Sequence, residues 1–173
     1  AEETTRVFQV VQNKLHYAVT GLTAPEIIAR RVDAGAPNMG LTAWKGARVR
    51  RTDVTVAKNY LLEPEIAELN RIVSMFLDFA EDQASRRKQI FLRDWEQRLD
   101  DFLRFNERAV LDGGGTVSRQ DADQRALAAY DEFDARRREE IEANAEAEAI
   151  SELERIAKVL PKRANRKRSG GDT

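Results

Sequence analysis

The sequence predicts an all-α fold: a compact helical bundle, then a long C-terminal helical arm and a disordered basic tail. Three observations predict it. Apolar residues recur every three or four positions over long stretches, as one face of an α-helix requires. The 9 glycines and 4 prolines among 173 residues fall mostly between those stretches. Helix-capping signals open several of them.

The first helix is expected from about Thr5 to Thr20, with Val7, Val11, Leu15 and Ala18 on one face and Gly21 as the residue that ends it. "TAPE" opens the second. Thr23 can cap it, Pro25 suits the first turn, and Glu26 can reach back as the capping-box acid. Ile27, Ile28 and Val32 give it a buried face, and it should stop near Asp33. Ala34 to Arg50 carries three glycines, a proline and an asparagine; it reads as a long irregular segment, with room for a short strand pair. Thr52 or Asp53 then caps a short helix, "DVTVAKNYL", with Val54, Ala57 and Leu61 sharing a face.

Pro64 starts a long helix with Glu63 and Glu65 in the first turn, where the helix dipole favours acids. Leu69, Ile72, Val73, Phe76, Leu77 and Ala80 form its core stripe, and Arg86, Arg87 and Lys88 sit at its end. The next helix, "RDWEQRLDDFLRFNER", aligns Leu92, Trp95, Leu99, Phe102 and Leu103. These elements make a core over residues 5–112. Gly113 to Gly115 open a linker over 113–117, and Ser118 with Asp121 starts an arm over 118–160. Leu127, Tyr130 and Phe133 pack early in it. From Arg136 the composition turns to Arg, Glu and Ala, and Ile150, Leu153, Ile156, Ala157 and Leu160 leave a stripe suited to a two-helix seam. Pro161 ends the arm, and 161–173 is a basic tail.

Composition excludes several functions. Charged residues make up 34% of the chain, yet the net charge is −1, so any attraction to nucleic acid must be local. No apolar run reaches membrane-spanning length, so no membrane partner is expected. With no cysteine and no signal peptide in view, a cytoplasmic location is expected. The lack of cysteine excludes thiol nucleophiles, disulfides and Cys-type zinc sites, and one histidine excludes most zinc hydrolase designs. No cofactor and no metal is expected. The chain opens at Ala1 on what reads as the run-in to a helix, and is taken as a fragment lacking upstream sequence.

Several polar groups invite a chemical reading. Asn13, His16 and Thr20 fall on one helix face, beside Lys14. They could bind a phosphate or a base edge, or place His16 as a general base. The competing reading is a partly buried histidine held by a hydrogen bond, with Asn13 solvating the helix end; residue types alone favour it. "NMGLTAWK" could be a ligand loop, with Asn38 and Lys45 as contacts, Gly40 allowing close approach and Trp44 stacking on a base. Alternatively Met39, Leu41 and Trp44 plug the loop onto the core. Arg48, Arg50 and Arg51 precede a segment carrying Lys58 and Asn59, and are either a phosphate site or ordinary charged surface. Asp78, Glu81 and Asp82 sit one turn apart, but a Glu-x-x-His partner is missing and basic residues follow, so an ion-paired face is expected there. The glycine triplet lacks the Lys-Ser/Thr of a phosphate-binding loop.

"VQNKLHYAVTGLTAPEIIARR", "PNMGLTAWKG", "DVTVAKNYL" and "LNRIVSMFLDFAEDQASRR", in that order, resemble the bacterial virulence RhuM family. The likeness covers about Val7 to Glu107 and continues more weakly to Phe133. The matching positions are Gln12, Asn13, Lys14, His16, Thr20, Glu26, Asn38, Met39, Gly40, Lys58 and Asn59. Ala36 stands where a basic residue is expected, which weakens a phosphate-binding reading of that loop. Phe76 and Phe79 stand where tyrosines are expected. The resemblance implies a candidate DNA-binding protein, often encoded among mobile-element and restriction–modification genes. It also implies an upstream segment similar to phage antirepressor-type domains, and no established reaction.

The leading expectation is an accessory or assembly module of a bacterial DNA-binding protein. It would contact DNA phosphates through Lys45, Arg48, Arg50, Arg51 and the tail, and form a homodimer or dock a protein through residues 136–160. A second expectation is an enzyme acting on a nucleotide or nucleic acid. There His16 is the base, Asn13 and Asn38 orient the substrate, and Lys45 or Lys58 holds phosphate; it requires His16, Asn38 and Lys58 to converge. A third is a pure helical scaffold without a pocket.

Overall fold

The computed structural model describes residues 2–86, 90–91 and 93–160, and among these the regular structure is entirely helical. Helix α1 spans Glu2–Thr20, starting before the expected Thr5. Leu15 is buried, with Val11 and Ala18 packed against the same core. Gly21 ends the helix with φ +72°, and its N–H donates to the Tyr17 carbonyl at 2.8 Å. That left-handed backbone carries little penalty in a residue without Cβ.

Helix α2, Ala24–Arg31, opens with the expected capping box. The Glu26 carboxylate accepts the Thr23 N–H at 2.8 Å, and the Thr23 hydroxyl accepts the Glu26 N–H at 3.4 Å. Glu26 also reaches across the chain, accepting the Thr116 N–H at 2.8 Å and the Thr116 hydroxyl at 2.7 Å. Gly115 makes this approach possible, because a Cβ there would stand 2.7 Å from the Thr23 side chain. The glycine-rich stretch thus returns the chain to the start of α2. Burial opposes ionisation of Glu26, but the hydrogen bonds from Thr23 and Thr116 outweigh it and hold the carboxyl at about 2.

Residues 34–62 contain no strand, so the strand pair allowed for that segment is not formed. They hold two 3-10 turns, Pro37–Gly40 and Ala57–Tyr60. Nor does a helix form over "DVTVAKNYL" beyond the second turn. Val54, Thr55 and Val56 are a β-branched run that disfavours helix, and Val56 is extended at φ −106°, ψ 107°. Val54, Ala57 and Leu61 are nevertheless all buried.

Helix α3 spans Glu63–Ser85. Its start is fixed by Glu65, which accepts the Leu62 N–H at 2.8 Å and a bidentate pair from Arg31 at 2.6 and 2.7 Å. Arg31 also donates to the Tyr60 carbonyl at 2.9 Å, joining the end of α2 to the start of α3. Leu69 and Ile72 are buried, and Val73 and Phe76 pack against them. Leu77 departs from its expected core place: it is 61% exposed. Helix α4, Asp94–Phe105, buries Leu99 and Leu103 and brings Trp95 and Phe102 against Phe76, with ring centres 6.0 and 5.4 Å apart. Arg87, Lys88 and Leu92 lie outside the described residues, as does the basic tail. Helix α1 packs on α2, α3 and α4, and α2 packs on the second 3-10 turn.

Ser118 begins the last helix as expected: its hydroxyl accepts the Asp121 N–H at 3.0 Å and donates to the Asp121 carboxylate at 2.8 Å. Helix α5 spans Arg119–Val159, with Ala122 and Ala126 fully buried. The chain divides after Phe133 into two compact units. In the second, Asp134 pairs with Arg137 and Arg138, while Ile141, Ile150, Leu153, Ile156, Val159 and Leu160 are exposed.

Candidate functional site

The polar face of α1 is mostly engaged in holding the fold. Asn13 Oδ1 accepts the Ala24 N–H at 3.2 Å, satisfying a donor at the start of α2. The Thr20 hydroxyl donates to the His16 carbonyl at 2.8 Å and accepts the Leu22 N–H at 3.1 Å. Lys14 points inward and is buried. Its ammonium meets Asp100 at 2.8 Å, the Leu111 carbonyl at 3.3 Å and Glu96 at 3.8 Å, which ties α1 to α4.

His16 is different. Only 4% of it is exposed, and Nδ1 lies 2.7 Å from the Gln12 carbonyl. A carbonyl only accepts, so the proton sits on Nδ1 and Nε2 is left as an acceptor. Among the described residues Nε2 has no partner, and it is buried. Such an acceptor costs about 1–3 kcal/mol when left bare. Burial lowers the His16 pKa below its ordinary value; the Gln12 carbonyl partly opposes this, and the nearby charge of Lys58 adds to it. His16 lines a cleft of about 370 Å³. Val11 and Leu15 of α1 and Leu69 and Val73 of α3 form its apolar walls, and Lys58 reaches it from the second 3-10 turn.

Asn38 does not line that cleft. Asn38, Met39 and Gly40 form a left-handed run with φ of +53°, +58° and +78°. Met39 is fully buried, and its carbonyl accepts the Asp33 N–H at 3.2 Å. A Cβ on Gly40 would fall 2.4 Å from the Arg31 carbonyl oxygen, which accounts for the glycine by packing. Leu41 is buried and Trp44 packs against the core. The "PNMG" signature is therefore a turn plugged onto the end of α2.

Asp53 organises the next stretch. Its buried carboxylate accepts the backbone N–H of Arg50 at 2.8 Å and of Lys45 at 3.3 Å. The Asn59 amide donates to the Asp53 carbonyl at 2.9 Å, and the Asn59 carbonyl accepts from Thr42 and Ala43 at 2.7 and 3.2 Å. Val49 and Val54, both buried, anchor the loop between them. Lys45, Arg48 and Arg50 are exposed on this loop, and their side chains form no ion pair among the described residues. Arg51 pairs with Asp131 of α5. The expected site residues thus separate. Lys45, Arg48 and Arg50 share one loop; His16 and Lys58 share the cleft; Lys14 is buried, and Asn13 and Asn59 are half-buried and bonded to backbone. Two structural hubs went unrecognised as such, Asp53 and the contact of Glu26 with Thr116. The first carried a signal, an acid just after the arginine cluster; the second, spanning ninety positions, carried none.

Among the described residues no group of three or more acids or histidines could hold a metal ion, and no helix is long and apolar enough to cross a membrane. What fold and geometry define is an all-α protein with a braced basic loop and one histidine-lined cleft. A sequence model of the virulence protein RhuM family matches residues 1–141, and the chain belongs to that family. No curated protein and no solved structure matches it.

Proposed function

We propose that this chain is a cytoplasmic accessory module of a DNA-binding protein, gripping phosphates through its basic loop and assembling through its second unit. One observation carries the reading: Lys45, Arg48 and Arg50 are exposed on a loop whose backbone is fastened at Lys45 and at Arg50 by the buried Asp53 carboxylate. A fastened loop loses little conformational freedom on binding, so its cations act at low entropic cost. Such contacts position the protein on the duplex and do not read bases. The exposed Ile150, Leu153 and Ile156 support assembly with a second copy or a partner helix. The enzyme reading has less behind it, because Asn13 is occupied and Asn38 stands outside the His16 cleft.

The test is binding to labelled duplex DNA across a salt series. The wild type is compared with Lys45→Ala/Arg48→Ala/Arg50→Ala and with a chain ending at Leu160. The expected result is salt-sensitive binding whose log–log slope falls by about 2–3 in the triple variant, near one per lost phosphate contact. Unchanged binding by the triple variant, or no binding by the wild type at low salt, overturns the proposal. If truncation alone abolishes binding, the tail carries it and the loop is overturned as the site.

A further inference from the structure

We infer that the cleft beside His16 is a binding site for a small amphipathic monocarboxylic acid, its carboxyl group held between His16 Nε2 and the Lys58 ammonium and its carbon body between α1 and α3. Three independent features converge there. Nε2 is a buried acceptor without a partner among the described residues, in a side chain whose other nitrogen is already fixed to Gln12. Lys58 is an exposed cation on the same cleft and forms no ion pair among the described residues. The walls between these groups and the outer rim are apolar, from Val11, Leu15, Leu69 and Val73. Few polar groups in an otherwise apolar cleft is the usual composition of a small-molecule site, and about 370 Å³ lies within the size range of such sites.

The ligand's chemistry follows from the polar groups. Nε2 accepts and Lys58 only donates. A carboxyl group answers both: one oxygen shares a proton with Nε2, and the other accepts from the ammonium. If the acid arrives as a carboxylate, the imidazole takes up one proton from solvent and the same N–H–O contact results. An alcohol would satisfy Nε2 but leave Lys58 without an anion; an inorganic anion would leave the apolar walls unfilled. Nε2 is buried, so a ligand must move a neighbour to reach it. Phe8, 64% exposed, and Lys58, also exposed, line the same cleft. Lys45, Arg48 and Arg50 do not line the cleft, so the inference is independent of the nucleic-acid reading.

The chain's single histidine makes the test direct, because one imidazole signal reports one site. The full chain is titrated with octanoate, octanol and acetate while the imaging nucleus, the imidazole ¹⁵Nε2, is followed by NMR. Octanoate is expected to move the Nε2 resonance saturably away from its bare-nitrogen position, whereas acetate does not saturate over the same concentrations. Lys58→Met, at an exposed position, is expected to weaken octanoate about tenfold and to leave octanol within about twofold. An Nε2 signal unmoved by millimolar octanoate overturns the inference. So does a Lys58→Met chain that binds octanoate like the wild type, or acetate that saturates as octanoate does.

Discussion

Replacing Glu26 with glutamine keeps the shape of the side chain and removes its charge. One carboxylate oxygen accepts the Thr23 N–H, and the other accepts two bonds from Thr116. Glutamine can still accept from Thr116, but it then turns an NH₂ toward the Thr23 N–H, donor against donor. A carboxyl held at about 2 in the folded chain, against an ordinary 4.5, corresponds to roughly 3 kcal/mol of stability at neutral pH. Water at the edge of the site and residual order in the unfolded chain reduce the expected loss to about 2 kcal/mol. The sign fixes the pH window. The folded value is depressed, so the stabilisation is complete above the unfolded value and is lost as pH falls toward the folded one. Urea unfolding of wild type and Glu26→Gln at pH 7, 5 and 3 should show a constant difference between pH 7 and 5. By pH 3 the difference should shrink to about half. A difference of the same size at all three values would refute the reasoning, since it would mean shape and not charge joins α2 to Thr116.

Lys14→Met should cost about 3 kcal/mol in urea unfolding, because it leaves Asp100, whose side chain is 14% exposed, without its cation. Adding Asp100→Leu should recover most of that loss, and a double variant as unstable as the single one would contradict the pairing. Gly40→Ala should lower the unfolding midpoint by the equivalent of about 2–4 kcal/mol, because its Cβ would meet the Arg31 carbonyl oxygen at 2.4 Å in backbone at φ +78°. Wild-type stability in that variant would exclude the left-handed turn.

Much of the fold was legible because helix formation is written in local spacing. Val11, Leu15 and Ala18 share a face at helical intervals, and Thr23 with Glu26 forms the capping box that their separation allows. The structure departs from the sequence pattern where local spacing and long-range packing part. "DVTVAKNYL" has a helical apolar spacing, but Asp53, one of its two expected caps, instead holds the N–H groups of Lys45 and Arg50. Leu77 keeps the period of its helix and yet lies outside the core, since period fixes a face and not which neighbour covers it. For the site, spacing correctly put Asn13, His16 and Thr20 on one helix, but it could not reveal which of them had partners. Asn13 is engaged by Ala24, eleven positions on, and Lys14 by Asp100 on another helix.

The motif residues of this chain fall into two groups. Asn13, Lys14, Gly40 and Asn59 each have a structural explanation: a helix start, an inter-helix ion pair, a close backbone approach, a loop staple. A residue fully accounted for by the fold supplies no argument for a ligand, however suggestive its type. His16 and Lys58 are not accounted for in this way. The imidazole is fixed at Nδ1 and bare at Nε2, and the ammonium beside it forms no ion pair among the described residues. Lys45 and Arg50 are held at their backbone N–H groups by Asp53, Arg48 lies on the loop between them, and none of the three forms an ion pair among the described residues. Fixed backbone with unpartnered chemistry is what a binding surface requires, because the ordering has been done before the ligand arrives. It separates these two places from the rest of the polar surface, and it sends the nucleic-acid test to the loop and the organic-acid test to the cleft.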